Sequence, residues 1–138
     1  MQNLNETDYN VAQTENIVVS AYPELLDSDD KRYELWAYCL RIENNSAERI
    51  RLLQKDFCIT DSLGHTQYIL GSGFNGELPD VEANEYFEYE DTAVISGRAA
   101  VLYGHCLAQK ADGTMFKIAL PIMQLSTPNP RKNRFATH

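Results

Sequence analysis

The chain has 138 residues, enough for one hydrophobic core and too few for two comfortable ones. Hydrophobic residues make up 43% and charged residues 23%, ordinary globular usage that excludes wholesale disorder and a fibrous repeat. The net charge of -8 argues against a nucleic-acid groove and an anionic membrane surface, because both need a basic footprint to neutralise phosphate.

Residues 1 to 15 are polar and aperiodic and read as an N-terminal tail. The residues after Met1 lack the basic start and apolar core of a signal peptide, and no later apolar run approaches membrane-spanning length, so the expected location is cytoplasmic. The domain is read as residues 16 to 125, opening with a short strand from Asn16 to Tyr22 that is rich in Ile17, Val18 and Val19. Asp27-Ser28-Asp29-Asp30 then reads as a loop. Tyr33 to Asn44 is the clearest strand: Trp36, Tyr38, Leu40 and Ile42 share one face, and Leu35, Ala37, Cys39 and Arg41 share the other. After a turn at Asn44-Asn45-Ser46, Ile50 to Leu53 and Phe57 to Thr60 predict a kinked strand pair or one bulged strand. Asp61-Ser62-Leu63-Gly64 predicts a hairpin loop and His65 to Leu70 the return strand.

Gly71-Ser72-Gly73-Phe74-Asn75-Gly76 has the spacing GxGxxG, which cradles a dinucleotide pyrophosphate when it joins a strand to a helix. Pro79 follows too soon for a helix to open there, and Val81 to Glu90 alternates like a strand, so these glycines are read as a loop between strands. Such a loop offers two functional readings. Gly71, Gly73 and Gly76 are candidate anion-binding positions, since successive N-H groups in a glycine-rich turn form a concave nest without a helix. Against this, the segment from Gly71 to Glu82 contributes no Lys or Arg, and glycines also serve close packing. Phe74 and Leu78 are candidate partner-binding residues, apolar side chains that a loop either displays or folds in to plug the end of the domain.

Glu85 to Glu90 points Phe87 and Tyr89 inward and Tyr86, Glu88 and Glu90 outward. Glu77 to Asp91 holds seven acids and no base, an arrangement of a solvated face or of a surface for a basic partner. Arg98 to Gln109 continues as a strand, Asp112-Gly113 gives a hairpin turn, and Phe116, Ile118 and Leu120 share a face up to Pro121. Residues 126 to 138 form a second polar tail carrying Arg131, Lys132 and Arg134. Short strands at regular spacing, with no helical period, predict a single-domain all-β antiparallel sandwich or barrel. Its shared core is expected from Trp36, Tyr38, Leu40, Ile42, Phe87, Tyr89, Phe116 and Ile118.

The chemistry-bearing residues are sparse. Cys39, Cys58 and Cys106 lie in separate apolar segments, an odd number without CxxC spacing, so they are expected as free thiols in a reducing compartment. His65 and His105 stand in no nucleophile motif, and Glu88 and Glu90 are neighbours on one exposed face, so no catalytic residue is assigned. Asp27, Asp29 and Asp30 could offer oxygen ligands but lack the glycine and distal glutamate of an EF-hand loop, so no metal site is assigned either.

Taken together, Trp36-Ala37-Tyr38 to Ile42-Glu43-Asn44, Ile50-Arg51-Leu52-Leu53, Ile59-Thr60-Asp61, the glycine string with Leu78-Pro79, Phe87-Glu88-Tyr89, Asp112-Gly113, Phe116 and Leu120-Pro121 resemble the ApaG family over about residues 17 to 125. The resemblance implies an immunoglobulin-like sandwich of the fibronectin type III kind, and no enzymatic activity or cofactor. It also carries a label linking bacterial members to cobalt resistance and magnesium efflux, while similar eukaryotic domains are attached to F-box and polymerase-delta-interacting proteins. This chain departs from the family pattern at Lys55 and Phe57, where an Arg and a Trp are usual, and at Ala83-Asn84-Glu85, where Pro-Gly-Glu is usual. Of the family's Thr-Pro-x-Gly-x-Met-x-Gly stretch only Gly104 survives, so the chain reads as a divergent member. The expected function is a non-enzymatic binding module with a protein partner. The alternatives are a phosphate- or nucleotide-binding regulator acting through the glycine loop and a factor linked to cobalt and magnesium. A homodimer through sheet edges or faces is an expected assembly, its alternative being a monomer whose tails cover the edges.

Overall fold

Strands are the only regular elements among the residues that the computed structural model describes, 10–29 and 32–126. In order they are β1 (Asn10–Thr14), β2 (Ile17–Asp29), β3 (Tyr33–Asn44), β4 (Ile50–Asp61), β5 (Thr66–Ser72), β6 (Asp80–Val81), β7 (Tyr86–Ser96), β8 (Ala99–Lys110), β9 (Met115–Ala119) and β10 (Met123–Ser126). They form two antiparallel sheets, β1-β2-β3-β7 and β10-β8-β4-β5, with β6 added to β4 and β9 to β8. The fold is the antiparallel sandwich that the strand spacing predicts.

Alternation selects the core as expected. On β3 the buried face runs Glu34, Trp36, Tyr38, Leu40, Ile42, Asn44, an apolar stripe with a polar residue at each end. Both polar ends are satisfied: the Trp36 indole donates to Glu34 Oε1 (2.9 Å), and Asn44 Nδ2 donates to the carbonyls of Glu48 (2.8 Å) and Val81 (2.9 Å). Asn44 Oδ1 in turn accepts from Ser46 N (3.0 Å) and Ser46 Oγ (2.6 Å), so this one buried amide locks the β3–β4 turn against β6. Tyr89 and Ile118 are buried with the β3 stripe, and Phe87 and Phe116 pack on the core half-buried.

Several boundaries differ from the sequence reading. Residues 10–14, read as tail, form β1 against Ile17–Ala21; a polar strand at a sheet edge lacks the apolar signal that reveals a central one. Glu15 lies in the turn after β1 and Ser126, also read as tail, ends β10, while 1–9 and 127–138 lie outside the described residues. Asp27-Ser28-Asp29, read as loop, continues β2 past a register shift between Leu25 and Asp27, while Asp30 lies outside the described residues. Pro23 is tolerated within β2 because β1 pairs only as far as Ala21, leaving its missing N-H on an open edge. Ile50 to Thr60 is one strand, bulged between Leu52 and Gln54, and Pro121 lies in the connection between β9 and β10. Asn84 adopts φ +67 in the turn before β7, a left-handed conformation that Asn tolerates better than other non-glycine residues.

Candidate functional site

The glycine string makes a tight hairpin. Phe74 N donates to Glu77 O (2.7 Å) and Glu77 N to Phe74 O (3.1 Å), with Asn75 and Gly76 between them at φ +54 and +83. Positive φ at both central residues is the type I′ turn, for which Asn-Gly is the preferred pair. That signal lay in the sequence, inside a string whose glycine spacing pointed elsewhere. No helix follows, as Pro79 indicates. Gly73 has φ +79, and a Cβ there would come within 2.7 Å of the Glu77 carbonyl, so this position accepts only glycine.

The three candidate anion-binding glycines do not converge as one nest. Gly71 is part of β5, the Gly73 amide donates to Leu53 O (2.8 Å), and Gly76 stands at the hairpin tip. Among the backbone hydrogen bonds of the described residues, none runs from the amides of Asn75 or Gly76. Phe74 requires a correction: it is 1% exposed and turns inward, edge-on to Phe87 (5.9 Å) and Tyr89 (5.2 Å) of the opposite sheet. It plugs the sandwich and is not displayed to a partner, because burying an aromatic ring against two others outweighs leaving it on the loop. Leu78 remains exposed.

A cation that no neighbouring sequence supplies sits beneath the hairpin. Beyond the β4 bulge, Lys55 shares the inward face of Phe57, and its Nζ donates to Gly73 O at 2.7 Å while lying 5.2 Å from the ring centres of both Phe74 and Tyr89. The ammonium ties the loop to β4 and satisfies its charge on a carbonyl and two ring faces. Next to it, burial pushes the Cys106 thiol up to about 12, against the opposing pull of Lys55. The Tyr89 hydroxyl donates to Asp91 Oδ2 (3.0 Å), whereas the buried Tyr38 hydroxyl has no hydrogen-bond partner among the described residues. Burial first, and Asp91 second, raise both tyrosines well above the usual phenol range.

The two described histidines lie beside aspartates, His65 Nδ1 3.4 Å from Asp61 and His105 Nε2 3.4 Å from Asp56. Asp61 is a buried structural carboxylate: its Oδ1 accepts from Leu63 N (2.9 Å) and His65 N (3.0 Å) and holds the β4–β5 hairpin. On β7, Glu88 faces Arg41 (3.6 Å), which also meets Glu43 (3.4 Å) and stacks over Tyr86. Asp27 and Asp29 belong to β2, and no group of three or more His, Cys, Asp or Glu able to hold a metal ion occurs among the described residues. Among the described residues no helix is long and apolar enough to cross a membrane. Cys39, Cys58 and Cys106 are free, as expected.

The outer face of β10-β8-β4-β5 is a feature that sequence reasoning missed. Tyr68 on β5, Cys58 on β4 and Tyr103 on β8 stand in one cross-strand row, which Ile122 extends beside β10. Leu70 flanks this row on one side and Val101 on the other. Tyr68 is 68% exposed, Leu70 62%, Tyr103 40% and Ile122 67%, so the row is an apolar band open to solvent. The alternation that could have revealed it was present, but each outward apolar residue is unremarkable until the register aligns them.

A family model described as ApaG domain matches residues 23–110. The Protein ApaG of Parvibaculum lavamentivorans is 30% identical over 124 residues, covering 88% of this chain and 95% of the relative. The Protein ApaG of Brucella canis is 31% identical over 125 residues with the same coverage. Among solved structures, a structural-genomics target superposes with a TM-score of 0.78 at 25% identity, over 85% of this chain and 91% of that one. A Bordetella pertussis protein provisionally named ApaA shares the fold, with a TM-score of 0.77 at 21% identity over 88% of this chain and 96% of that one.

Proposed function

This chain belongs to the ApaG domain family, and from that premise we propose that it is a non-enzymatic binding module that engages a protein through the outer face of the β10-β8-β4-β5 sheet. One observation carries the reading: Tyr68, Tyr103, Ile122 and Leu70 form a contiguous exposed band on a rigid sheet. Aromatic and aliphatic anchors on a pre-formed surface lose little conformational entropy on binding and supply most of the energy of a protein interface. A groove of about 420 Å³ lined by Thr60, Val101, Gln124 and Ser126 borders the band and offers a rim where polar groups can be satisfied. The test is affinity capture from the native cell with partners identified by mass spectrometry, comparing the parent with Tyr103→Ser and Ile122→Ser. A partner recovered by the parent and lost by both variants, at unchanged melting temperature, supports the reading; an unchanged partner set removes it.

A second reading, a phosphate-containing ligand over the hairpin tip, is favoured by the amides of Asn75 and Gly76, from which no backbone hydrogen bond of the described residues runs. Titration calorimetry with pyrophosphate tests it. Saturable heat in the parent supports this reading, and its absence ends it.

A further inference from the structure

We propose that β5 is a strand-docking edge whose occupant is β5 of a second copy, paired antiparallel about a two-fold axis so that two sandwiches share one continuous sheet. In its sheet β5 pairs with β4 alone. The direction of its backbone groups follows from the bonds at its two ends. Asp61 N donates to His65 O (2.9 Å) and Gly73 N donates to Leu53 O (2.8 Å), so His65 and Gly73 face β4. The register between them is unbroken, so the odd-numbered residues bond β4. Thr66, Tyr68, Leu70 and Ser72 therefore turn N-H and C=O toward the opposite side, where none of the described strands lies.

Proteins blunt such edges with charge, proline, bulges or brevity. β5 uses none of these devices: Thr66-Gln67-Tyr68-Ile69-Leu70-Gly71-Ser72 is seven residues long, with no charged residue, no proline and no register shift. The other edges differ. β7 carries Glu88, Glu90 and Asp91, and its Val94 carbonyl accepts from Gln67 Nε2. The free stretch of β2 holds Pro23, β10 and β6 are four and two residues long, and β1 faces β9, whose Ala119 N donates to Thr14 Oγ1 (3.0 Å).

Charge selects the occupant. Two copies of a chain of net charge -8 repel one another least where the meeting strands carry no charge and the acids lie beyond the screening distance. A two-fold β5 pair places only neutral residues opposite one another, and it brings Tyr68 and Leu70 of both copies onto one outer face as cross-strand apolar pairs. The paired acids of β7 would instead be set against themselves.

Leu70→Pro tests this edge directly, because the N-H it deletes points away from β4 and the intramolecular ladder is kept. Sedimentation equilibrium of the full chain should give twice 15.7 kDa for the parent and 15.7 kDa for Leu70→Pro. Tyr68→Lys, which sets like charges together at the axis, should also be monomeric and decides the matter should the proline variant not fold. Ile122→Ser, far from this edge, should remain a dimer. A parent that stays monomeric as its concentration rises overturns the proposal, as does a dimer that survives both edge variants. Loss of the dimer in Ile122→Ser but not in Leu70→Pro would place the contact on the sheet face and equally overturn it. The outer-face reading fails separately: a monomeric parent whose captured partner is lost with Tyr103→Ser keeps that reading and removes this one.

Discussion

Lys55→Met isolates what holds the glycine hairpin in place. The ammonium donates a 2.7 Å bond to Gly73 O, and a hydrogen bond from a charged group contributes about 1.5–3 kcal/mol. Two ring faces at 5.2 Å add about 0.5–1 kcal/mol each, for a gross loss of roughly 2.5–5 kcal/mol. Met returns part of this, since it needs no hydration, fills a similar volume and offers its sulfur to the same rings. The expected net loss is about 1–3 kcal/mol, a fall in melting temperature of roughly 4–12 °C for a domain of this size. Thermal and urea unfolding measure the global cost. Hydrogen exchange of the Phe74 and Glu77 amides, which close the hairpin, measures the local one and should accelerate more than exchange in β3. Lys55→Arg, which keeps a donor and a cation, should lose less than half as much. A Met variant as stable as the parent, with hairpin amides still protected, would show that the ammonium does not bind the loop.

Other expected outcomes follow from single groups. Trp36→Ala should cost about 3–5 kcal/mol in urea unfolding, since it empties a core position and leaves Glu34 without its indole donor; an unchanged midpoint would show the wrong face was assigned. Asn44→Ala should cost about 2–4 kcal/mol because it removes the buried donor to the Val81 carbonyl and the acceptor of Ser46 N, and a loss within surface-mutation scatter would refute the lock. Stability should fall as pH rises above 9. Cys106, raised by burial to about 12, and Tyr38 and Tyr89, raised further, keep their protons in the native state while the unfolded chain releases them, so their contribution is complete below the unfolded values and is lost through the folded ones. A urea midpoint that does not change between pH 8 and pH 11 would contradict this. A thiol reagent should find three thiols after unfolding without reductant, and Cys106 should be the slowest to react in the native state.

The strands of the core were legible because a half-buried sheet imposes a period of two on the chain itself. Trp36, Tyr38, Leu40 and Ile42 announce a buried face without reference to any other segment, and Asp112-Gly113 marks its turn from two residues alone. The single bulge in β4 was foreshadowed by Ile50–Leu53 and Phe57–Thr60 falling out of phase, which left a kinked pair as the other solution until β8 was seen to pair across the whole strand. β1 was not legible, because an edge strand buries too little to demand apolar residues.

The candidate site divides along the same line. Sequence by itself determined that the glycine string opens no helix and that the chain turns within it, since Pro79 and the dihedrals of Asn75-Gly76 act over a few bonds. Only the tertiary structure decided that Phe74 faces inward, that Lys55 from another strand reaches Gly73, and that Tyr68, Tyr103 and Ile122 stand in one row. Each of these depends on which strand lies opposite and in what register. A side chain on a loop turns toward whatever surface buries it best, and that surface is assembled from residues distant in sequence.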